Sequence, residues 1–115
     1  MRGLGRQLVV ELWDCERWVE DPDALRAALR EAVKRAGATL IDVQVHPFNP
    51  HGASGMALLA ESHISFHTWP ELGYVALDVF TCGERVRPEA AVEVFRDLFA
   101  PRRVSIVEIR RGVRP

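Results

Sequence analysis

Residues 21–46 read DPDALRAALREAVKRAGATLIDVQVH and contain patterns for a helix followed by a strand. Asp21 is a typical N-cap residue, and Pro22 fits the first helical position. After them, apolar residues recur at helical spacing in an otherwise charged segment, at Leu25, Ala28, Leu29, Ala32, Val33 and Ala36. Gly37, which tolerates a left-handed backbone, is expected to end this helix. Apolar and polar residues then alternate from Ile41 to Val45, which predicts a half-buried strand.

The rest of the chain carries patterns for further strands and a second helix. Short apolar or alternating stretches predict strands at Gln7–Trp13, Met56–Ala60, His63–His67, Tyr74–Phe80 and Val104–Ile109. Because Tyr74–Phe80 is almost wholly apolar, we expect a central strand that is buried on both faces. Pro88 opens a second helix with an apolar stripe, and Pro101 stops it. The helix breakers between Pro47 and Gly55 predict a loop, and Pro70 and Gly73 mark a turn.

The order of these elements is strand, helix, several strands, helix, strand. Both helices can cover one face of a single, mostly antiparallel sheet, so we predict an α+β two-layer sandwich. A length of 115 residues indicates one domain spanning 1–115. The other sheet face would be too apolar to remain in water, and we therefore expect a homodimer. A chain of this size leaves little depth for an enclosed site, which favours a site shared between two subunits.

Composition and charge restrict the classes of partner. Hydrophobic residues make up 48% of the chain, charged residues 27%, and the formal net charge is −1, so neither nucleic acid nor an anionic membrane is expected as a partner. No apolar run approaches the ~20 residues that span a bilayer, and the first residues lack the pattern of a signal peptide. We therefore expect a cytoplasmic protein, with Cys15 and Cys82 as reduced thiols and Cys15 as a small core residue.

Reactive side chains are concentrated between Ser54 and Gly83. A serine and a histidine could form a hydrolase pair, although the window has no G-x-S-x-G elbow. Cys82 with His67 could form the site of a thiol enzyme, for which no local signature is present. A metal site is not expected, because His63 and His67 on one strand would lie about 13 Å apart, too far for one ion. The residue types by themselves leave the chemistry open.

Four motifs between residues 52 and 83 resemble a known family. They are Gly-Ala-Ser-Gly at 52–55, Glu-Ser-His-Ile-Ser at 61–65, His-Thr-Trp-Pro-Glu at 67–71 and Asp-Val-Phe-Thr-Cys-Gly at 78–83. Together with the opening Leu-Gly-Arg at 4–6 and the arginines from 102 to 111, they are similar to the bacterial and archaeal S-adenosylmethionine decarboxylase proenzymes. The resemblance covers nearly the whole chain, and the central motifs are long, in order and correctly spaced.

The resemblance implies a proenzyme that cuts itself between Glu61 and Ser62 into a 1–61 chain and a 62–115 chain. The Ser62 hydroxyl would attack the Glu61 carbonyl to give an ester. Elimination from this ester and hydrolysis would then convert Ser62 into a covalent pyruvoyl group, the expected cofactor. Ser54 matches a serine that assists this processing by stabilising the oxyanion, and His67 matches the base that removes the α-proton.

The same resemblance implies a lyase that decarboxylates S-adenosylmethionine, yielding the aminopropyl donor for polyamine (spermidine) biosynthesis. The pyruvoyl ketone would hold the substrate amine as a Schiff base and act as an electron sink. Cys82 matches the general acid that returns a proton to the α-carbon, a role that suits a protonated thiol. Phe48 matches an aromatic residue stacked on adenine, and Glu71 matches a ribose-binding acid. Trp69 is expected either in the wall of the site or in the core.

The chain departs from the family pattern outside the residues assigned to cleavage. Gln7 stands where His is usual, Leu72 where Tyr or His is common, and Arg87-Pro88 where Asp-Pro is typical. These differences could alter substrate binding, so the identity of the substrate stays open. Two alternatives to the main interpretation remain at this point. The same cofactor could act on arginine or ornithine, or the chain could be an unprocessed homologue that binds a partner or nucleoside without catalysis.

Overall fold

A computed structural model describes residues 3–115, and this part of the chain forms six strands and two α-helices. In chain order these are β1 (Gly5–Cys15), α1 (Pro22–Ala36), β2 (Leu40–Pro47), β3 (Ala53–Leu59), β4 (His63–Trp69), β5 (Tyr74–Cys82), α2 (Pro88–Phe99) and β6 (Pro101–Arg111). The strands form one sheet in the order β2-β3-β4-β5-β1-β6, and all neighbouring strands pair antiparallel. This confirms the α+β two-layer sandwich.

Both helices begin and end where local signals predict. The Asp21 carboxylate accepts a hydrogen bond of 3.2 Å from the Ala24 backbone N–H, and Gly37 caps the other end of α1 in a left-handed conformation with φ 75°. Helix α2 begins at Pro88 and ends at Phe99. Its C-cap is Ala100 in the left-handed region, so the chain leaves the helix there and β6 starts at the next residue.

The hydrophobic core lies between the two helices and one face of the sheet. The largest side chains in it are fully buried: Phe66, Phe95, Phe99, Leu12, Leu25, Leu29, Ile64 and Leu77. The rings of Phe66 and Phe95 contact each other across the two layers, with centroids 5.6 Å apart. Each such side chain contributes about 1.5–3 kcal/mol to folding through removal from water, so these contacts fix the helices on the sheet.

The prediction that β5 is buried on both faces is wrong, although the strand is central. Along β5 the burial alternates strictly, and Val75, Leu77 and Val79 point to the helices. Tyr74 and Phe80 lie on the opposite face and are only half-buried. The reason is that no element of residues 3–115 covers this second face, which we call the open face.

The loop predicted from Pro47 to Gly55 is shorter than expected, because β3 already starts at Ala53. Gly55 does not break the strand. A Cβ atom at this position would lie 2.5 Å from the ring atom Cε2 of Phe66, so glycine is needed for the ring to pack across β3. In β2, Val43 and Val45 are half-buried as predicted, whereas Ile41 is exposed beside a register shift.

Candidate active site

The open face carries most of the side chains singled out by the sequence. In β4, Ile64, Phe66 and Thr68 point to the core. Because successive strand residues point to opposite faces, His63 and His67 lie on the open face. The same alternation directs Ser54 of β3 and Cys82 of β5 to this face, opposite the helices.

Ser62 and Cys82 meet at one end of the open face. Ser62 lies in the turn between β3 and β4, and Cys82 ends β5. The Ser62 Oγ and Cys82 Sγ atoms are 3.6 Å apart, which is a hydrogen-bond contact for a thiol and a hydroxyl. Gly5 of the adjacent β1 leaves room for this pair, since a Cβ atom there would lie 3.1 Å from Cys82 Sγ.

The residue before Ser62 is fixed through its side chain to Thr39, which immediately precedes β2. The Glu61 carboxylate accepts 3.0 Å and 3.1 Å hydrogen bonds from the backbone N–H and the hydroxyl of Thr39. The Thr39 backbone N–H is the main reason that the pKa of Glu61 is lowered from its ordinary value. The backbone N–H of Leu59 also donates to the Ser62 carbonyl, at 2.9 Å. The peptide bond between Glu61 and Ser62 is therefore held in a braced turn.

Ser54 and His67 form a second pair, towards the other end of the same face. They are direct partners in the β3–β4 ladder. The Ser54 Oγ and His67 Nδ1 atoms are 2.5 Å apart and share a hydrogen bond. A hydroxyl hydrogen-bonded to an imidazole is a common arrangement for proton transfer.

These two pairs do not meet within one chain. Ser62 immediately precedes β4, and His67 is the fifth residue of that strand. At ~3.4 Å per residue of an antiparallel strand, their backbones lie about 17 Å apart. The sequence resemblance assigns all four residues to one active site. Within one chain, however, the sheet separates Ser62 and Cys82 from Ser54 and His67.

Phe48, Trp69 and Glu71 lie together around a cleft of 340 Å³, which Ser54 and His67 also line. The Phe48 and Trp69 side chains are 51% and 40% exposed, so both offer ring surface to a ligand. Trp69 is therefore part of the wall of this cleft, and its ring also stacks on that of Tyr74 with centroids 5.2 Å apart.

The loop that carries Phe48 is held by several hydrogen bonds. The Phe48 backbone N–H donates to the Gly52 carbonyl at 2.8 Å, and the Gly52 N–H donates to the Glu20 carboxylate at 2.9 Å. His51 of this loop contacts the Glu71 carboxylate through its Nε2 atom. Glu20 and His51 were not found from the sequence, because neither belongs to a motif and both act through contacts between distant segments.

Stacked aromatic rings cross the open face beside the cleft. The rings of Trp13 and Tyr74 are stacked with centroids 4.2 Å apart, and Trp69 extends the stack on the other side. The Tyr74 hydroxyl donates to the Glu11 carboxylate at 2.5 Å. Burial, followed by this carboxylate, raises the pKa of Tyr74 to about 12, so the phenol stays protonated as a donor.

Gln7 links three strands near Cys82. Its side-chain oxygen accepts a 2.8 Å hydrogen bond from Arg111, and its Nε2 donates to Asp78 at 3.3 Å. The Arg111 guanidinium lies over the Phe80 ring, 5.1 Å from the centroid. A glutamine fits here because it both donates and accepts.

The two thiols are free: Cys15 ends β1, whereas Cys82 ends β5 and pairs with Gly5 at the start of β1. Burial, together with Asp14, raises the pKa of Cys15 to about 11, which makes this thiol a poor nucleophile. Among residues 3–115, no group of three or more His, Cys, Asp or Glu side chains could hold a metal ion. No helix within the same range is long and apolar enough to cross a membrane.

A small α+β sandwich with a serine–thiol pair and a serine–histidine pair on its bare sheet face has the layout of an enzyme. A sequence model of the family described as S-adenosylmethionine decarboxylase matches residues 6–112, and the chain belongs to this family.

Similar proteins agree with this assignment. The chain is 51% identical over 114 residues to an S-adenosylmethionine decarboxylase proenzyme of Thermomicrobium roseum, covering 98% of this chain and 97% of the relative. It is 50% identical over 113 residues to a proenzyme of the same name from Methanococcus aeolicus, covering 97% of each. The crystal structure of the adenosylmethionine decarboxylase from Aquifex aeolicus superimposes with a TM-score of 0.87 at 34% identity, covering 100% of this chain and 96% of that one.

Proposed function

We propose that this chain decarboxylates S-adenosylmethionine with a pyruvoyl group made from Ser62, after it has cut itself between Glu61 and Ser62. The observation that carries the proposal is the 3.6 Å contact between Ser62 Oγ and Cys82 Sγ beside a braced peptide bond. The relatives are named as proenzymes of S-adenosylmethionine decarboxylase, which supports both the cut and the substrate. Their names give no support to arginine or ornithine as substrates, or to an unprocessed binding homologue.

The cut begins when the Ser62 hydroxyl attacks the carbonyl carbon of Glu61. The acyl group moves from nitrogen to oxygen, so the peptide bond becomes an ester and the Ser62 nitrogen becomes a free amine. Removal of the Ser62 α-proton by His67 expels the Glu61 carboxylate and leaves dehydroalanine. Hydrolysis of this dehydroalanine then releases its nitrogen as ammonia and leaves the pyruvoyl group. A fixed turn aids the first step, because the hydroxyl and the carbonyl are held close together.

The residues present suit the group that this reaction forms. The pyruvoyl ketone supplies an electron sink for the bond to the departing carboxylate carbon. Cys82 stands within hydrogen-bond distance of the Ser62 position and can return a proton to the substrate α-carbon. The products are carbon dioxide and an aminopropyl donor for spermidine synthesis, made in the cytoplasm.

A homodimer through the open face would complete the site. Within one chain, Ser62 and His67 are about 17 Å apart along β4, too far for direct proton transfer. A second copy that packs face to face about a two-fold axis would bring its His67 and Ser54 to the Ser62 end of the first copy. Exposed apolar side chains on the open face favour such packing, namely Met56, Leu58, Val107 and Ile109.

In this arrangement the cleft of one copy would bind the nucleoside while Ser62 of the other copy receives the amino-acid end. Phe48 and Trp69 offer rings for the adenine and for the sulfonium cation, which the negative face of an aromatic ring attracts. The Glu71 carboxylate can accept hydrogen bonds from ribose hydroxyls. The open cleft of 340 Å³ would become enclosed when the second copy covers it.

Two measurements test the proposal. The intact mass of the denatured protein should give two fragments split after Glu61, the second lighter by one ammonia than hydrolysis alone would give. Ser62→Ala should give one whole chain, because alanine has no hydroxyl. The processed protein should release carbon dioxide from S-adenosylmethionine, and borohydride should abolish this activity in the presence of substrate. Release from arginine or ornithine instead, or from none of the three, would refute the assignment of substrate.

A further inference from the structure

His51 lies against Glu71 at the mouth of the cleft, outside the motifs that carry the family resemblance. Its Nε2 atom contacts Oε2 of the Glu71 carboxylate, and the two side chains are 43% and 45% exposed. We propose that His51 is a positioning residue that holds the Glu71 carboxylate ready to bind the ribose hydroxyls, and so determines the preference for a ribonucleoside. This inference rests on the proposed function of the cleft.

The contact uses one of the two carboxylate oxygens. Within residues 3–115, Oε1 of Glu71 has no hydrogen-bond partner, whereas Oε2 is bound to His51. A carboxylate held at one oxygen keeps the acceptor positions of the other oxygen free for a ligand. His51 therefore leaves Glu71 able to bind a hydroxyl while restricting the directions in which its carboxylate can turn.

The backbone on both sides of this contact is already fixed. His51 precedes Gly52, whose N–H is bound to the Glu20 carboxylate at 2.9 Å. The next residue, Ala53, donates its N–H to the Thr68 hydroxyl at 2.8 Å. Glu71 lies in a single 3₁₀ turn, Pro70–Leu72, which is closed by Gly73 with φ 61°. The conformational freedom that remains is that of the exposed His51 and Glu71 side chains. The contact between them restricts this freedom.

Orientation before binding improves affinity because the ligand no longer has to order the side chain itself. Immobilising one flexible side chain weakens binding by up to about tenfold. We therefore expect His51→Ala to raise KM for S-adenosylmethionine by about tenfold while kcat changes less than twofold. His51→Gln keeps an N–H donor near the position of Nε2 and should restore most of the lost affinity.

The experiment uses the processed enzyme, with the cut verified by intact mass for each variant. KM and kcat are measured by carbon dioxide release, and affinities for 5′-methylthioadenosine and its 2′-deoxy analogue are measured by calorimetry. We expect the wild type to prefer the ribonucleoside, and His51→Ala to lose most of this preference. Arg35→Ala is the matched control, since it breaks a similarly exposed ion pair of 2.7 Å with Glu31 on α1.

Three results would overturn the inference. KM of His51→Ala could equal that of the wild type, its affinity for both nucleosides could fall equally, or its kcat could fall instead of its affinity. In a Glu71→Gln background, the additional change of His51 to Ala should have little effect, and an undiminished effect would also contradict it. A wild type that releases no carbon dioxide from S-adenosylmethionine refutes the proposed function, a result separate from these.

Discussion

Mixing two inactive variants should restore cleavage if the site is shared between two copies. Ser62→Ala removes the attacking hydroxyl but leaves Ser54 and His67 intact. His67→Ala removes the base but leaves Ser62 and Cys82 intact. In a dimer of one chain of each kind, one site combines Ser62 of the His67→Ala chain with His67 of the Ser62→Ala chain and is complete. The other site lacks both groups and is dead.

The expected yield follows from the separation of Ser62 and His67 along β4. Each variant alone should stay whole, because one lacks the hydroxyl and the other lacks the base. Because about 17 Å separates the two backbones in one chain, the base that acts on Ser62 should come from the partner, so mixed dimers should be cut. When equal amounts of the two chains are co-expressed and pair at random, about half of the His67→Ala chains lie in mixed dimers. About half of all His67→Ala chains should therefore be cut, and none of the Ser62→Ala chains.

Intact mass spectrometry identifies which chain was cut, because residue 67 lies in the 62–115 fragment and carries the mass of the substitution. A tag on the Ser62→Ala chain captures the mixed dimers, and untagged His67→Ala chains that co-purify with it verify that they formed. If purified mixed dimers contain only whole chains, the site is not shared in this way. If His67→Ala alone cuts itself at the wild-type rate, His67 is not the processing base.

Three further outcomes are expected. Gly55→Ala should lower the free energy of unfolding by about 1–3 kcal/mol through overpacking, measured by denaturant titration, because the buried Phe66 ring cannot move aside; an unchanged value would contradict this. In the uncleavable Ser62→Ala variant, Glu61→Gln should be less stable at pH 6, where the Glu61 carboxylate is charged. This difference in the free energy of unfolding should vanish as pH falls through the lowered pKa of Glu61. Denaturant unfolding curves at pH 6 and at a pH below that pKa measure it. Cys82→Ala should still be cut, but its kcat for carbon dioxide release should fall by about 10² or more; an undiminished kcat would exclude the thiol as proton donor.

The sequence predicts the helices well because their signals are local. Asp21 and Gly37 act on the backbone within one turn of where they stand, so the bounds of α1 follow from them. The start of β3 could not be predicted in this way. Gly55 has the composition of a loop residue, and its role in a strand depends on the Phe66 ring of the neighbouring strand.

The candidate site could be predicted only in part, because some of its contacts join residues that are distant in the sequence. Motifs pointed to Ser54 and His67, and the sheet register makes them direct partners. The bracing of Glu61 by Thr39 joins residues 22 positions apart, and the contact of His51 with Glu71 joins residues 20 positions apart. Such pairs leave no periodic pattern or spacing in the sequence. The burial of β5 on one face only was missed because an apolar strand can also face an open surface.

The strand order has a further consequence for the cut protein. The 1–61 fragment would contain β1, β2 and β3, and the 62–115 fragment β4, β5 and β6, with β1 lying between β5 and β6. The fragments are thus interlocked, and separating them means breaking the β3–β4, β5–β1 and β1–β6 pairings at once. Within each protomer, unfolding of the cut protein would release two chains instead of one, so the stability of even a single protomer would depend on concentration. Re-formation of the sheet after unfolding would then require an encounter between two separate chains.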